Sequence, residues 1–244
     1  MLPGRVAELR TRMTRAALSI CRKYGHWERA CHRSASSPAP RHPITLCGDQ
    51  SVGETIVLLA NDLQQEELER AGWHVSARSF GAQLDVDRID SEGLARLVTR
   101  AGPAIRELRA DDVDDILTLD AATSGDYPGG VATRHDPLTP HSAAASDSRR
   151  AFGAFLADGE LVAMTFVDVH GATAETDFTV VHPDWRRRGV ATAVKAASIL
   201  ALSSEAVTRF RTGGSADNAA ILRANATLGY VRDEEWVTLT RGSA

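Results

Sequence analysis

The sequence predicts an α/β protein of the α+β type, with a mixed, mostly antiparallel central sheet flanked by helices. Apolar segments of strand length alternate with segments in which apolar residues recur every three or four positions, as on a helix with one buried face. Asp158-Gly159 joins two apolar segments and is a strong β-hairpin signal, which indicates antiparallel pairing. Gly72, Gly189 and Gly229 stand at predicted helix boundaries. Helices packed on a sheet are the expected result.

Composition and charge are ordinary for a soluble globular protein. The 244 residues are 43% hydrophobic and 25% charged, and the net charge of −4 offers no basic surface for nucleic acid. No apolar segment approaches the ~20 residues that span a bilayer, and the N-terminus lacks the apolar core of a secretory signal. We therefore expect a cytoplasmic protein without nucleic-acid or membrane partners. The alanine- and arginine-rich composition suggests a bacterial source with a GC-rich genome.

The three cysteines are predicted to be free thiols. Cys21, Cys31 and Cys47 are odd in number, which favours a reducing compartment. His26 and His32 lie near them, but the spacings fit no tetrahedral zinc pattern. No metal is expected.

The chain is predicted to contain a smaller N-terminal region over 1–100 and a second domain over 104–244. The first 33 residues predict an amphipathic helix with a basic outer face, and the Ser- and Pro-rich segment 34–40 predicts a linker. Ala101-Gly102-Pro103 interrupts the pattern and is predicted to be the domain boundary.

Within the N-terminal region, a buried strand over 55–59 is followed by a helix over 64–71, Gly72 and an extended 73–75. Asn61 or Asp62 can cap this helix. The same order of helix, glycine, aromatic residue and strand recurs at 226–231. This repetition leaves open that the N-terminal region is a degenerate copy of half of the second domain.

The second domain is predicted to alternate strands and helices around one irregular segment. Its predicted elements are a strand at 104–108, a helix capped by Asp111 or Asp112 that runs through Ile116 and Leu119 to Ala122, a loop at 123–150, strands at 151–157, 161–169 and 174–181, a helix at 190–203, a strand at 207–212, a helix at 218–228 and a final strand pair ending at Leu239. A loop as long as 123–150 is usually functional or disordered.

The segment 180–191 carries the predicted chemistry. A buried strand ends at Pro183, a turn with three consecutive arginines follows, and Gly189 and Ala191 open a helix. Small residues let the backbone approach a ligand, and the free amides at the positive end of a helix attract an anion such as a pyrophosphate. The segment is neither a Walker loop nor a dinucleotide fingerprint, because it lacks Gly-Lys-Ser/Thr and the three-glycine spacing.

Arg186-x-x-Gly189-x-Ala191 resembles the acetyl-CoA signature Gln/Arg-x-x-Gly-x-Gly/Ala of the GCN5-related N-acetyltransferase (GNAT) superfamily. Downstream, 212–218 with Asn225 and 228–230 resembles that superfamily's closing motif, and the similarity covers about 104–242 in the expected element order. The resemblance implies the GNAT fold. It also implies transfer of an acetyl group from acetyl-CoA to a primary amine of a small molecule or peptide, by direct attack without an acyl-enzyme.

The resemblance further implies which residues bind acetyl-CoA. Backbone groups of Val180 and Val181, at a splayed strand end, would bind the pantetheine arm. The amides from 187 to 191 would hold the pyrophosphate, and Asn218 would bind the pantetheine or the acyl region. The complete implied set is Val180, Val181, Arg186, Arg187, Arg188, Gly189, Val190, Ala191, Asn218 and Asn225.

Two carboxylates are candidates for the general base. Glu175 aligns with the strand position that carries a catalytic glutamate in histone-acetylating members, and Asp177 shares its strand face by the period of two. An amine with a pKa near ~10 is mostly protonated at neutral pH, so a carboxylate linked through water would help. The alternative is that both simply line a solvated cleft. His170 and His182 are rivals by pKa.

The position of the usual general acid departs from the family pattern. Many members carry a tyrosine seven residues after the helix-opening asparagine, and here that position is Asn225. An amide cannot give up a proton, but it can donate a hydrogen bond to the sulfur. A thiolate with a pKa near ~8.5 is also a fair leaving group. Tyr230 is interpreted as a packing aromatic.

Acceptor recognition is predicted in the 123–150 loop, where Asp126, Tyr127, His135 and Asp136 are candidates to hold a cationic amine. Two other functions remain open at this stage. One is a non-catalytic acyl-CoA-binding module or regulatory domain, and the other is an interaction protein that uses the basic N-terminal helix. The choice between a monomer and a homodimer is open too.

Overall fold

The computed structural model describes the backbone of Thr45–Leu46, and residues 54–60, 62–126, 133 and 135–242. The chain divides into two compact units, Met1–Ile44 and Thr45–Ala244. The predicted N-terminal helix, the linker, the three cysteines and Tyr127 lie outside the described residues.

In the second unit, the described strands form one mixed sheet in the order β1-β2-β9-β3-β8-β7-β6-β5-β4. Every pairing is antiparallel except that of β7 with β8. The strands are β1 (Thr45–Leu46), β2 (Glu54–Leu59), β3 (His74–Asp85), β4 (Ala104–Glu107), β5 (Arg149–Phe155), β6 (Leu161–His170), β7 (Thr173–Val181), β8 (Arg209–Ser215) and β9 (Val231–Arg241). The predicted mixed, mostly antiparallel sheet flanked by helices is confirmed.

The described helices are α1 (Leu63–Arg70), α2 (Ser91–Arg100), α3 (Val113–Thr123), α4 (Pro140–Ala143), α5 (Val190–Ser203) and α6 (Ala219–Thr227). Side-chain caps explain where several begin. Asp62 accepts the Gln64 amide at 2.9 Å, Asp90 accepts the Gly93 amide at 2.9 Å, and Asn218 accepts the Ile221 amide at 3.1 Å. None of the described helices is long and apolar enough to span a bilayer.

The two faces of the sheet are covered by different helices. On one face, α2 and α5 bury Leu94, Ile199 and Leu202 against Phe80 and Phe210 of the sheet. On the opposite face, α3 packs in a second cluster, whose buried members include Leu108, Ile116, Leu119, Phe155, Met164, Phe166, Phe178 and Val180. We call these the α5 face and the α3 face.

The predicted domain boundary at 101–103 does not separate compact units. β3 comes from before this segment, yet it lies inside the sheet between β8 and β9. β9 in turn pairs only with β3 and β2 among the described strands. Residues 104–244 therefore do not complete the sheet by themselves, and the division between compact units falls at Ile44 and Thr45.

The strand β3 has twelve residues, of which the extended segment predicted at 73–75 contains only the first two. Its apolar residues occupy odd positions at Val75 and Ala77 but even positions at Phe80, Ala82 and Leu84. The pairing of β3 with β9 also shifts register twice, between Val75 and Ala77 and between Gly81 and Ala82. Because the alternation is interrupted, the period-of-two signal that identifies a half-buried strand is lost.

Three further predictions need correction. The final strand pair is a single strand, β9, whose partners come from the N-terminal half of the chain. The 123–150 loop contains a short helix, α4, which Thr139 caps by accepting the Ser142 amide. The strand predicted at 207–212 begins and ends later, as β8, because 212–215 pair with β3.

Candidate active site

The sheet opens where its two parallel strands separate. β7 and β8 pair only over Thr173–Glu175 and Arg209–Arg211. Beyond Glu175 and Arg211, β7 continues along β6 and β8 continues along β3. We call the resulting gap, between 176–181 and 212–215, the fork. Backbone groups that line it have no sheet partner across the gap, so they are available to an extended ligand.

The predicted strand-turn-helix lies at the open end of the fork. After β7, a short 3₁₀ turn at Pro183–Trp185 leads to Arg187 and Gly189, both in the left-handed region with φ of 61° and 80°. The first hydrogen bond of α5 to the turn runs from the Ala193 amide to the Gly189 carbonyl, at 3.0 Å. In the described part of the chain, the amides of 187–191 have no backbone acceptor. Such a cluster of N–H groups suits an anion.

Two of the three turn arginines are held by the protein itself. Arg186 donates from Nε to the Val181 carbonyl at 3.1 Å and from Nη2 to Asp126 at 2.5 Å. The Arg188 guanidinium lies 4.7 Å from the centre of the Trp185 ring. Arg186 therefore holds the turn against the end of β7, while the exposed Arg187 forms no ion pair with another described residue.

Both predicted bases lie on the α3 face. Thr176 reaches α5 through its hydroxyl, so its neighbour Glu175 projects to the opposite face. Asp177 is an extra residue on β7, because Phe178 pairs with Phe166 and Thr176 pairs with Val167. This bulge leaves Asp177 on the same side as Glu175, where it meets Arg149 of β5.

Arg149 links two carboxylates on that face. Its guanidinium donates to Asp168 at 2.9 Å and to Asp177 at 3.1 Å, and it lies 4.9 Å from the centre of the Phe166 ring. Burial raises the pKa of Asp168 above its usual range, against the opposing charge of Arg149. Asp168 pairs across the sheet with Glu175, so a carboxylate that the sequence reading missed adjoins the predicted base.

A second arginine, Arg211 of β8, contacts further carboxylates on the α3 face. Arg211 pairs with Glu175 across the last β7–β8 step, and its guanidinium lies 2.7 Å from Asp233 and 2.9 Å from Glu234. Nearby acidic groups, Glu234 foremost, hold the pKa of Arg211 above its ordinary value despite its burial. We call this region the acidic surface. It carries more negative than positive charge, which suits a cationic amine. Its members are the carboxylates of Asp168, Glu175, Asp177, Asp233 and Glu234 and the arginines Arg149 and Arg211.

Asn225 has a buried side chain whose two polar atoms are both unsatisfied among the described residues. It lies on α6 with 3% of its surface exposed, and neither its Nδ2 nor its Oδ1 has a hydrogen-bond partner among the described residues. An unpaired buried amide costs ~1–3 kcal/mol, so a ligand that pairs it would recover this free energy. By contrast, the Oδ1 of Asn218 is already used in capping α6.

The predicted acceptor-binding residues have different surroundings. The Asp126 carboxylate is paired with Arg186, and Asp136 is exposed. His135 is buried, with Nε2 2.6 Å from Asp120, and its ring stacks on Phe178 at 4.1 Å between centroids. Asp120 also accepts the Leu138 amide at 2.8 Å, so the Asp120–His135 pair anchors the loop that follows α3.

The rival histidines, His170 and His182, lie just before and just after β7. His170 is exposed at the end of β6, away from the fork, and the Nδ1 of His182 accepts the Asp184 amide at 3.4 Å in the turn. Among the described residues, no group of three or more His, Cys, Asp or Glu side chains is arranged to hold a metal ion.

The sequence reading missed Asp168, Arg149, Arg211 and Lys195. Alternation within the predicted strand 161–169 placed Asp168 on the face of Phe166 and Met164, and this was a usable signal. No local pattern marks the other three, because their partners lie on other strands.

No protein-family model matches the chain. A curated relative, mycothiol acetyltransferase of Clavibacter michiganensis subsp. michiganensis, is 29% identical over 164 residues, which cover 62% of this chain and 54% of the relative. The chain thus spans about half the length of this relative.

Solved structures with similar folds include three acetyltransferases. A tandem GNAT protein from the clavulanic acid biosynthesis pathway has a TM-score of 0.55 at 23% identity, covering 78% of this chain and 64% of that one. A GCN5-related N-acetyltransferase of Sphaerobacter thermophilus has a TM-score of 0.58 at 12% identity, covering 79% and 62%. One of Kribbella flavida has a TM-score of 0.54 at 16% identity, covering 78% and 68%.

At these identities the solved structures establish the fold, and the fold agrees with the motifs at 186–191 and 212–218. The fork and the turn at the N-terminus of α5 occur here in the element order that the motifs implied. The chain therefore has the fold of these GCN5-related N-acetyltransferases.

Proposed function

We propose that the chain is an N-acetyltransferase that transfers the acetyl group of acetyl-CoA to a primary amine by direct attack. One observation carries the proposal: the fork has unpaired turn amides at its open end and an acidic surface where it closes. A phosphorylated acyl donor and a cationic acceptor would therefore meet at one place. The acceptor is a small molecule or a peptide.

The residues present fit acetyl-CoA. The pyrophosphate would be held by the amides of 187–191 and by the charge of Arg187, and the pantetheine arm would bond to the backbone of Val180 and Val181 along the fork. The Val181 carbonyl already accepts one bond from Arg186 but has a second lone pair. The amide of Asn225 would pair with the thioester sulfur or carbonyl, and the lack of a hydrogen-bond partner for it among the described residues supports this role.

The acidic surface would prepare the acceptor. Glu175 would take the proton of the substrate ammonium through a water molecule, and the free amine would then attack the thioester carbon. Of the two predicted bases, Glu175 lies in the last β7–β8 pair, where the fork closes, and Asp177 pairs with Arg149. Asp168, adjacent to Glu175, adds negative charge that favours a cationic acceptor.

The test of this function is release of CoA thiol from acetyl-CoA in the presence of a panel of primary amines. We expect turnover with at least one cationic amine and none with its N-acetylated form. Acetyl-CoA binding without turnover on any amine, even at pH 9, would identify a non-catalytic acyl-CoA-binding module instead.

Glu175→Gln is expected to lower turnover by about 10²-fold at pH 7, the lower range for loss of a general base. The loss should shrink at pH 9, since a larger fraction of an amine with a pKa near ~10 is then already deprotonated. The measurement is kcat/KM of wild type and variant at both pH values.

Two matched variants make the Glu175 result specific. Glu160→Gln, on the exposed β5–β6 hairpin, should leave kcat/KM unchanged. Asp168→Asn removes the neighbouring carboxylate, and if it alone reproduces the pH-dependent loss, Asp168 rather than Glu175 is the base. An equal loss for Glu175→Gln at both pH values would also rule out Glu175.

A further inference from the structure

Lys195 is a buried amine on α5 that the proposed acetyl transfer has not used. Its side chain is 1% exposed, and its Nζ donates to the Thr212 hydroxyl at 2.9 Å and to the Thr176 hydroxyl at 3.4 Å. The Nζ also lies 5.4 Å from the centre of the Tyr230 ring. In the described part of the chain no carboxylate pairs with it.

Packing does not explain a lysine at this position. Burying an ammonium without a counter-ion is costly, and an apolar side chain of similar length would fill the same space without that cost. The chain contains only two lysines, Lys23 and Lys195, although Lys and Arg together number 28. Arginine does not release its proton in proteins, whereas a buried lysine does, so the choice of lysine points to proton transfer.

Lys195 lies at the closed end of the fork, where β7 and β8 separate. The last β7–β8 pair is Glu175 with Arg211, and the next residue on each strand is a threonine that bonds to Lys195. Its Nζ thus bridges the two strands where they separate. An acyl donor that enters the fork from the turn would bring its thioester toward this end.

Tyr230 connects the same cluster to Asn225. The Tyr230 phenol shares a hydrogen bond with the side chain of Thr176, and its backbone amide donates to the Asn225 carbonyl at 3.0 Å. Asn225 occupies the position where the family resemblance places a proton-donating tyrosine. Tyr230, whose ring meets Lys195, thus follows shortly after the helix that carries Asn225, the position at which this chain lacks its expected acid.

We propose that Lys195, acting through the hydroxyl of Thr176 or Thr212, supplies the proton that the CoA thiolate takes up as it leaves. This inference rests on the proposed acetyl transfer. The amine nitrogen forms a bond to the acyl carbon and loses one proton to water, the carbon–sulfur bond breaks, and its electron pair stays on sulfur. The hydroxyl gives its proton to sulfur and takes one from the Lys195 ammonium. Lys195 then regains a proton from solvent.

The acidities agree with this direction of transfer. Burial lowers the pKa of Lys195 to about 7. A thiol has a pKa near ~8.5, so the ammonium can protonate the thiolate favourably. Burial raises the pKa of Tyr230 well above the usual range of a phenol, which makes it a poorer donor.

The other charged groups near these strands face elsewhere. Glu175 and Arg211 project to the α3 face, because Thr176 and Thr212 project to the α5 face. The side chains that α2 contributes to the neighbouring core are Leu94, Leu97 and Val98, and α6 contributes Ile221 and Leu222. On β9, Arg232 is exposed and pairs with Glu235 at 2.9 Å. Among the described residues, Tyr230 is thus the titratable group that meets Lys195.

The first measurement follows the titration of Lys195 directly. In protein labelled with ¹³Cε-lysine, NMR should give two lysine signals, and Lys195→Met identifies one of them by its absence. We expect the Lys195 signal to titrate near pH 7 and the Lys23 signal to serve as an internal reference. A Lys195 that stays charged through pH 9 would overturn the proposal, because its ammonium would then be a weaker acid than the thiol that it must protonate.

The second measurement is the single-turnover rate of acetyl transfer against pH. In wild type the rate should fall as pH rises through the Lys195 midpoint, because only the ammonium can donate. Lys195→Met should lose this descending limb and be about 10²-fold slower at pH 6.5, with the acetyl-CoA Kd within about twofold of wild type. Thr212→Val keeps the lysine but removes its closer hydroxyl and should slow transfer in the same pH range.

The outcomes separate the two proposals. If wild type transfers acetyl groups and both variants keep its rate and pH profile, the role of Lys195 is refuted while the acetyltransferase proposal stands. If wild type binds acetyl-CoA but transfers to no amine, both proposals fail together.

Discussion

A chain shortened to residues 104–244 is expected to lose its cooperative unfolding transition. It lacks β3 and β2, which are the partners of β9 among the described strands. It also removes Phe80, Ala82, Leu84 and Leu94 from the core on the α5 face. Burial of four apolar side chains is worth on the order of 10 kcal/mol, which is comparable to the entire stability of a domain.

The measurement is circular dichroism during thermal and urea unfolding, with size-exclusion chromatography to detect aggregation. A chain starting at Thr45 is the matched control, because it keeps every described strand and forms one compact unit. We expect this control to unfold cooperatively. A cooperative transition for 104–244 at a similar midpoint would mean that β9 can pair without β3, and the sheet order would then not be obligatory.

Gly189→Val is expected to weaken acetyl-CoA binding by at least about tenfold. Gly189 precedes α5 with a φ of 80°, and a Cβ at this residue would meet no protein atom within 4 Å. The side chain would instead occupy the space in front of the turn amides. A left-handed φ also costs a non-glycine residue about 1–2 kcal/mol, so the turn itself would shift.

Gly159→Val separates these two effects. Gly159 lies in the β5–β6 hairpin with a φ of 93°, and a Cβ there would likewise meet no atom within 4 Å. Both variants should lose a similar free energy of unfolding, measured by urea denaturation. Only Gly189→Val should lose affinity in isothermal titration with CoA. Equal and unchanged CoA affinities for the two variants would show that the turn does not hold the pyrophosphate.

The turn and its neighbours could be predicted because their conformation is decided locally. A strand that ends at a proline, followed by glycine and a helix, fixes the direction of the amides at 187–191 whatever surrounds them. The Asp158-Gly159 hairpin and the extent of α5 were predictable for the same reason, and the structure has both. The shared face of Glu175 and Asp177 followed from the strand period and is retained by the bulge at Asp177.

The sequence by itself determined the fold class, the turn at the N-terminus of α5 and the strand face of the candidate base, because each depends on residues within a few positions of one another. Only the tertiary structure decided that β3 completes the sheet, that Arg149 engages Asp177, and that Lys195 lies between Thr176 and Thr212. These contacts join residues that are distant along the chain. Their free energy comes from strand pairing and side-chain burial between these distant residues, which the local pattern of apolar residues does not indicate.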